Sequence, residues 1–552
     1  MNVTSLTSLR QGHKMCPATF HRALELAAAG TSVSGIAEEL NVPRTTLRDK
    51  LKVHENRELP GVIKDAFVSP EGEAFLKRLV IVLHVEVRNA CACGLRVIEK
   101  IIRATGLDEF LGASLGAQWG VGRAVDEGIV KFGEAQLAAM IPAIEGKEIT
   151  LACDENFHEG PCLVAMEPAS NFIVLEASAP TRSLEDWKSA MVPILAALGV
   201  NVRQVTSDCG SSILALAEHI LGAHHSPDLF HILYNFKRTF SPAMRAEHRK
   251  IERFAKEAEK ELRDLERMSS HWDTLKPAER GRGPAPQFDK FKQEQEEVFS
   301  GHMTSMARIE QSEKRVREAL KMLTQNYHPV CLTTGRRVGK STFDGVAEEI
   351  LKTIRDVIEE HELDKIAYDA LEKLQRMIEK MSKTLEHTEQ CWRTRSHASS
   401  TDFKVRFALE SLLAPAAYLE RLANQTSQLK AHSLRVTASK LRAKAVDDHG
   451  EEVVAALKPF AQVMFDDFQR SSSMVEGRNG QLSLRHHAFH ELSILKRQVL
   501  TTMHNYVQRR NDGTTPSERL SGIKADDLID WLCLHLPDLP KAGACRTPKK
   551  AA

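Results

Sequence analysis

The chain of 552 residues is 42% hydrophobic and 27% charged, ordinary values for a globular protein long enough to hold several domains. Its 75 Lys and Arg against 74 Asp and Glu leave a net charge of +1, which neither requires nor excludes a nucleic-acid partner, because basic residues can cluster locally. Ten cysteines without CxxC spacing, Cys91-x-Cys93 being the nearest pair, exclude a zinc-ribbon pattern and a disulfide framework and predict a reducing, cytosolic compartment. The most apolar run, Leu79 to Val87, is too short for a bilayer and carries His84 and Glu86, so neither a membrane span nor a signal peptide is expected.

In chain order, the first informative stretch runs from His21 to Leu51 and reads as three short helices. Gly30 ends the first, Ser32 or Ser34 starts the second, and Asn41-Val42-Pro43 turns into the third. Leu26, Ile36, Ala37, Leu40, Val42, Leu47 and Leu51 supply a shared core, and the spacing is that of a helix-turn-helix. On the third helix Arg44, Thr45, Thr46, Arg48 and Lys50 are candidate DNA contacts. The Arg44-Thr45-Thr46-Leu47 segment resembles resolvase and transposase recognition helices; the competing reading is a three-helix module with a solvated basic face. Residues 59–146 read as helical, with Val121 to Phe132 as the recognition segment of a possible second DNA-binding module.

From Gly146 the period changes. Ile149 to Glu155, Cys162 to Glu167 and Phe172 to Ala177 read as strands, Ser183 to Leu198 as a helix, and Val205 to Asp208 as a fourth strand. Asp154 lies on the first strand and Asp208 at the tip of the fourth. Ser211 to Ile220 reads as a helix, and Asp228 to Arg238 as a fifth strand leading into another. This order resembles an RNase H-like fold, in which the first and fourth strands are neighbours, so the two carboxylates would converge. Paired carboxylates with phosphate oxygens suit Mg²⁺.

Strand signals then vanish. From 241 to 470 heptad-like apolar spacing, as in Ile350, Ile354, Val357 and in Leu371, Leu374, Ile378, Met381, predicts a helical insertion. Within it, Gly335-Arg336-Arg337-Val338-Gly339-Lys340-Ser341 invites a phosphate-loop reading but fails on glycine spacing and has no strand before it. Arg336, Arg337 and Lys340 then read as a basic loop on a DNA backbone or as solvated charge. Ser471-Ser472-Ser473-Met474-Val475-Glu476-Gly477-Arg478-Asn479 opens a further helix with Glu476 in its first turns, and Asn479, Gly480 and Ser483 share its face. Arg478 lies alongside. The helix is expected to continue through Met503 toward Arg509 and Arg510, followed by a capping box at Thr515, Pro516 and Glu518.

The Ser-Met-Val-Glu-Gly-Arg-Asn stretch and the tail His504 to Leu520 resemble bacterial insertion-sequence transposases of the DDE type. The resemblance covers 20–53, 147–240 and 470–522. It implies an α/β RNase H-like catalytic core with a mixed five-stranded sheet, an N-terminal all-α helix-turn-helix region and a large all-α insertion before the glutamate. The implied domains are 1–58 (helix-turn-helix), 59–146 (helical region), 147–240 (first part of the core), 241–470 (insertion), 471–525 (closing helix and C-terminal helix) and 526–552 (tail, with Arg546, Lys549 and Lys550).

The resemblance also implies that Asp154, Asp208 and Glu476 bind two Mg²⁺ ions, with Mn²⁺ as a substitute, for metal-dependent DNA cleavage and strand transfer. Arg478, Arg509 and Arg510 would hold double-stranded DNA, and His231 and Asn479 would be accessory groups. A homo-oligomer, a dimer or larger, would assemble on the element's ends in a bacterial cytoplasm, at the nucleoid. A non-catalytic DNA-binding regulator, or a nuclease without strand transfer, remains as an alternative.

Overall fold

The computed structural model describes residues 17–55, 61–157, 160–280, 283–489 and 492–541; the expected basic tail residues Arg546, Lys549 and Lys550 lie outside them. The chain is mostly helical around one mixed five-stranded sheet. It divides into two compact units, Met1–Ala143 with Leu482–Ala552, and Ile144–Gln481. No helix among the described residues is long and apolar enough to cross a membrane.

The first unit opens with α1 (Pro17–Ala28), α2 (Val33–Glu39) and α3 (Arg44–Glu55). Ser32 caps α2 by accepting the Gly35 N–H, and Gly30, at φ +83°, makes the left-handed turn that ends α1. Ala23, Ile36, Ala37, Leu47 and Leu51 form the core, with Leu26, Leu40 and Val42 packed against it. Arg44, Thr45, Arg48 and Lys50 are exposed on α3, and Thr46 is half-buried.

Then follow α4 (Gly61–Val68), α5 (Pro70–Val82), a π-helical stretch Leu83–Ala90, α6 (Leu95–Ala104) and α7 (Leu115–Ile144). The expected recognition segment of a second DNA-binding module, Val121 to Phe132, is not a separate short helix but the middle of the single 30-residue helix α7; its apolar side, Val121, Val125, Ile129 and Phe132, is buried, and its bases Arg123 and Lys131 are exposed.

The second unit carries β1 (Glu148–Phe157), β2 (Pro161–Glu167), β3 (Phe172–Ser178), α8 (Leu184–Leu198), β4 (Asn201–Ser207), α9 (Ser211–Ala215) and β5 (His224–Pro227). The sheet order is β3-β2-β1-β4-β5. The β1–β2 and β2–β3 pairs are antiparallel, and β1–β4 and β4–β5 are parallel. Apolar residues on both faces of β1 and β2 are buried, as expected of strands covered on two sides.

The fifth strand lies earlier than the sequence suggested. His224–Pro227 is the strand, and Asp228 is the N-cap of α10 (Leu229–Thr274), its carboxylate accepting the N–H of Phe230 at 2.6 Å. Continuing in order come α11 (Phe288–Asn326), α12 (Lys340–Glu360), α13 (Lys365–Ser399), α14 (Phe403–Ala408), α15 (Ala414–Asn424), α16 (Gln428–His449) and α17 (Glu451–Met464). Their common core includes the heptad-spaced Ile350, Ile354, Val357, Leu371, Leu374, Ile378 and Met381.

The glycine-rich loop before α12 is tied into this fold. Arg337 pairs with Glu410 and, at 3.5 Å, with Glu389, and Lys340 pairs with Asp344 at 3.1 Å. Only Arg336 of the three is exposed.

Helix α18 (Ser473–Phe489) crosses from the second unit into the first. The expected continuous helix is two: α19 (Ile494–Tyr506) follows, then α20 (Pro516–Ser521), which has the expected capping box at Thr515 and Glu518, and α21 (Leu528–His535). The expected closing segment, 471–525, is therefore divided at Leu482. In the first unit the buried Lys496 amino group of α19 lies 3.2 Å from Asp126, which Arg88 also meets at 2.9 Å.

Arg478 corrects the reading of it as a DNA contact. Its guanidinium is 5% exposed and makes a bidentate pair, at 2.7 and 3.0 Å, with the fully buried Glu176 of β3. It fastens α18 to the sheet. Arg478→Ala, which removes this buried bidentate pair, is expected to cost about 3–5 kcal/mol in urea unfolding, whereas Arg478→Met with Glu176→Leu recovers most of the loss.

Candidate active site

Parallel pairing of β1 with β4 fixes the first two acids. Ala152 faces Thr206, so Asp154 and Asp208, each two residues further along, lie at the same level, Asp154 three residues before the end of β1 and Asp208 just past the end of β4. Asp208 follows the last residue of β4, where Cys209 adopts φ +69°, an unusual conformation for a residue with a side chain. The turn is closed by the Gly210 N–H, 2.9 Å from Asp208 Oδ1; a Cβ at position 210 would stand 3.2 Å from that oxygen.

The third acid arrives on α18. Asn479, one turn after Glu476, donates from Nδ2 to Asp154 Oδ2 at 3.0 Å, and its carbonyl accepts from Asn156 Nδ2 at 3.2 Å. Asn479 thus holds the helix to β1 beside Asp154. The amide oxygen of Asn479 is buried without a hydrogen-bond partner.

Glu476 does not join Asp154 and Asp208 in one tight ligand set. Among the described residues, the acid and histidine group whose candidate ligand atoms all lie within 4.8 Å of one another is Asp228, His231 and Glu476. His231, on the first turn of α10, places Nε2 3.0 Å from Glu476 Oε1. Like charges keep apart, and each acid takes a donor: His231 for Glu476, Asn479 for Asp154, the Gly210 N–H for Asp208.

Asp228 was less legible. It is buried, and its carboxylate accepts N–H groups from Phe230 and His231 and both the N–H (2.7 Å) and hydroxyl of Ser472. With its lone pairs so engaged, it is a positioning group for the two helix starts. An aspartate directly before an apolar helical run is the signal that identifies it as a cap.

The local electrostatics are those of crowded acids. Burial pushes the Asp154 carboxyl up to about 6, and the neighbouring charge of Asp208 adds to this, against the N–H of Glu155. Burial also raises Glu476, with Asp228 adding and His231 opposing. Burial raises Glu155, partly offset by the Trp187 indole N–H at 3.2 Å. Neither Asp154 nor Asp208 forms an ion pair with a lysine or arginine among the described residues. Oxygen donors at the ends of adjacent strands, raised acids and the unused Asn479 oxygen fit a hard divalent cation.

A cleft of about 410 Å³ adjoins these groups, lined by Asp208, Asp228, His231 and Asn235 on one side and Lys373 and Met377 of α13 on the other. Arg509 and Arg510 belong to the first unit. Arg509 closes the turn before α20 by donating to the Gly513 carbonyl at 2.6 Å, and Arg510 is exposed.

Comparison with known proteins gives one partial match: residues 409–548 match a profile described as "Family of unknown function (DUF6399)". The matched stretch includes all of α18 with Glu476 and none of the sheet. No curated protein and no solved structure matches the chain.

The raised Asp154 sets a pH-dependent stability. Its folded-state pKa, about 6, exceeds the ordinary 3.8, so the folded protein binds the extra proton between these values, and ionisation above pH 6 is destabilising. Asp154→Asn is therefore expected to be more stable than wild type by about 1–3 kcal/mol at pH 7.5, with the advantage gone by pH 4. Thermal unfolding at the two pH values measures it, and Mg²⁺ is expected to stabilise wild type but not the variant.

Proposed function

We propose that this protein is a DDE-type transposase: a metal-dependent phosphoryl-transfer enzyme that cleaves DNA at the ends of a mobile element and joins them to a target. The observation that carries this reading is the placement of Asp154 and Asp208 side by side on the parallel strands β1 and β4, with the helix of Glu476 joined to Asp154 through Asn479, in a sheet ordered β3-β2-β1-β4-β5, the order expected of an RNase H-like core. The three acids come from the two central parallel strands and from a helix that returns after a long helical insertion, as the resemblance of the sequence leads one to expect.

In this reading Asp154, Asp208 and Glu476 hold Mg²⁺ or Mn²⁺. When bound, the cations supply activation of a water or a DNA 3′-hydroxyl and stabilisation of the leaving 3′-oxygen. The chain's own residues position the groups. Asn479 orients Asp154, the Gly210 N–H orients Asp208, and His231 orients Glu476. His231 also provides a proton-carrying nitrogen 3.0 Å from Glu476, within reach of the cleft that admits the strand.

DNA placement falls to separate parts of the chain. The exposed face of α3, with Arg44, Thr45, Arg48 and Lys50, is read as the recognition helix for the element's ends. Arg510 and the partly exposed Arg509 remain as phosphate contacts, and such binding weakens steeply with salt. Two ends brought together would require a homo-oligomer.

The test is cleavage of labelled DNA carrying the gene's flanking sequences, in Mg²⁺ or Mn²⁺, by wild type and Asp208→Ala. Wild type is expected to nick the ends and to yield joined product, and the variant to bind equally but react on the order of 10³-fold more slowly. Nicking without joined product would identify a nuclease. Specific binding with no reaction by wild type, even on pre-nicked ends, would identify a regulator.

A further inference from the structure

Helix α10 exposes a line of rings that the packing of the fold does not use. Phe230 and Tyr234 are 52% and 53% exposed, although both sit on a helix otherwise amphipathic and well buried on its other side. Their rings stack on each other, with centroids 6.2 Å apart and planes 13° from parallel. Arg238 continues the line one turn on, its guanidinium 5.8 Å from the Tyr234 ring centre. At the other end Phe230 meets the His231 ring edge-on at 5.7 Å, and His231 reaches Glu476. A continuous row of cation, ring, ring and imidazole thus ends at a carboxylate of the candidate active site.

The row borders the cleft that contains Asp208. Arg238 lines that cleft together with Asn235 and His231, and Lys373 faces it from α13. Lys373 is exposed, and Lys380, about two turns further along the same face of the helix, is close enough to act electrostatically on Cys209. The charge pattern is therefore positive along the cleft and acidic at its end. A surface for another protein helix would bury apolar side chains along its length; here exposed rings alternate with guanidinium, ammonium and amide groups.

Aromatic faces beside cations bind nucleobases by stacking while the cations hold the backbone, and every base offers such a face. Bases inside a duplex are stacked on one another and offer none. We propose that Phe230, Tyr234 and Arg238 form a stacking platform for unpaired nucleotides of the DNA strand whose phosphate enters the acid site. The platform rests on the proposed function and refines its substrate: DNA opened, or already single-stranded, next to the reacting phosphate. Asn235 and Lys373 contact the same strand from the cleft.

The test is equilibrium binding by the full chain, with no divalent cation, of a short single-stranded oligonucleotide containing 2-aminopurine and of the same sequence as a duplex. For wild type, quenching of 2-aminopurine by stacking is expected on the single strand. Tyr234→Ala is expected to abolish the quench and weaken single-strand binding roughly 5- to 150-fold, with duplex binding unchanged; Tyr234→Trp is expected to restore both. Phe230→Ala is expected to act in the same direction.

Equal weakening on single strand and duplex, or no weakening, would overturn the platform. So would a change in molecular mass by light scattering in Tyr234→Ala, which would assign the rings to a contact between copies of the chain. Because the assay contains no metal, it separates the two proposals. A persistent quench with no cleavage by wild type retains the platform and rejects the transposase; cleavage of open-ended DNA unaffected by either ring substitution does the reverse.

Discussion

The geometry of the candidate site depends on one buried carboxylate. Asp228 begins α10 and, 244 residues later in sequence, also receives the N–H and hydroxyl of Ser472 at the start of α18. Each cap of this kind contributes about 0.5–2 kcal/mol, and hydrogen bonds to a charged acceptor add more. The clamp brings two helix N-termini together at the sheet's acid end. Their dipoles favour negative charge there, which offsets part of the repulsion among Asp228, Glu476 and Asp154. The shared carboxylate thereby helps to set the position of Glu476 relative to His231.

A second set of polar contacts keeps the helical insertion in register with the sheet. Asp467, buried between α17 and α18, meets Arg395 of α13 at 2.9 Å and Arg203 of β4 at 3.0 Å. Arg395 reaches on to Glu148 at the start of β1. Next to it, Arg470 donates to the carbonyl of Thr324 at 2.8 Å, and its own carbonyl accepts the Leu229 N–H. Buried charges are costly when unpaired, so this network tolerates few alternative placements of the insertion. The insertion thereby shares a rigid frame with the strands that carry the acids.

Much of this was legible in the sequence where the signals are local. Alternating or continuous apolar runs marked β1 to β4, the helical period marked α8, and Thr515 with Glu518 marked α20. The acids stood out because each ends an apolar run or opens a polar helix face. The failures share a physical cause. Leu229 to Phe236 is rich in aromatic and aliphatic residues and suits a strand or a buried helix equally; the Asp228 cap decides between them. The single helix α7 was read only in part, as a shorter segment from Val121 to Phe132; its glycines allow close packing, as at Gly133, where a Cβ would come within 2.7 Å of Thr502. Arg478 looked like a free cation on a polar face because its partner, Glu176, lies 302 residues away. The division between the two units at Leu482 left no compositional trace, because α18 is one continuous helix across it.

These constraints give the insertion a role beyond spacing the third acid from the second. Helix α10, 46 residues long, starts at the sheet edge behind Asp228, carries His231 against Glu476, and then runs on into the insertion. Helix α13 packs beside β5 and supplies Lys373, Leu374 and Met377 to the cleft next to Asp208. One wall of the cleft is therefore made by the insertion and the other by the start of the helix that leads into it. Its width follows from the packing of two helices around Leu371, Leu374 and Phe236, apolar contacts that are set by core density and resist small displacements. Acid placement by the sheet and the shape of the cleft set by the insertion are thus separate consequences of the packing, joined through Asp228 and Asp467.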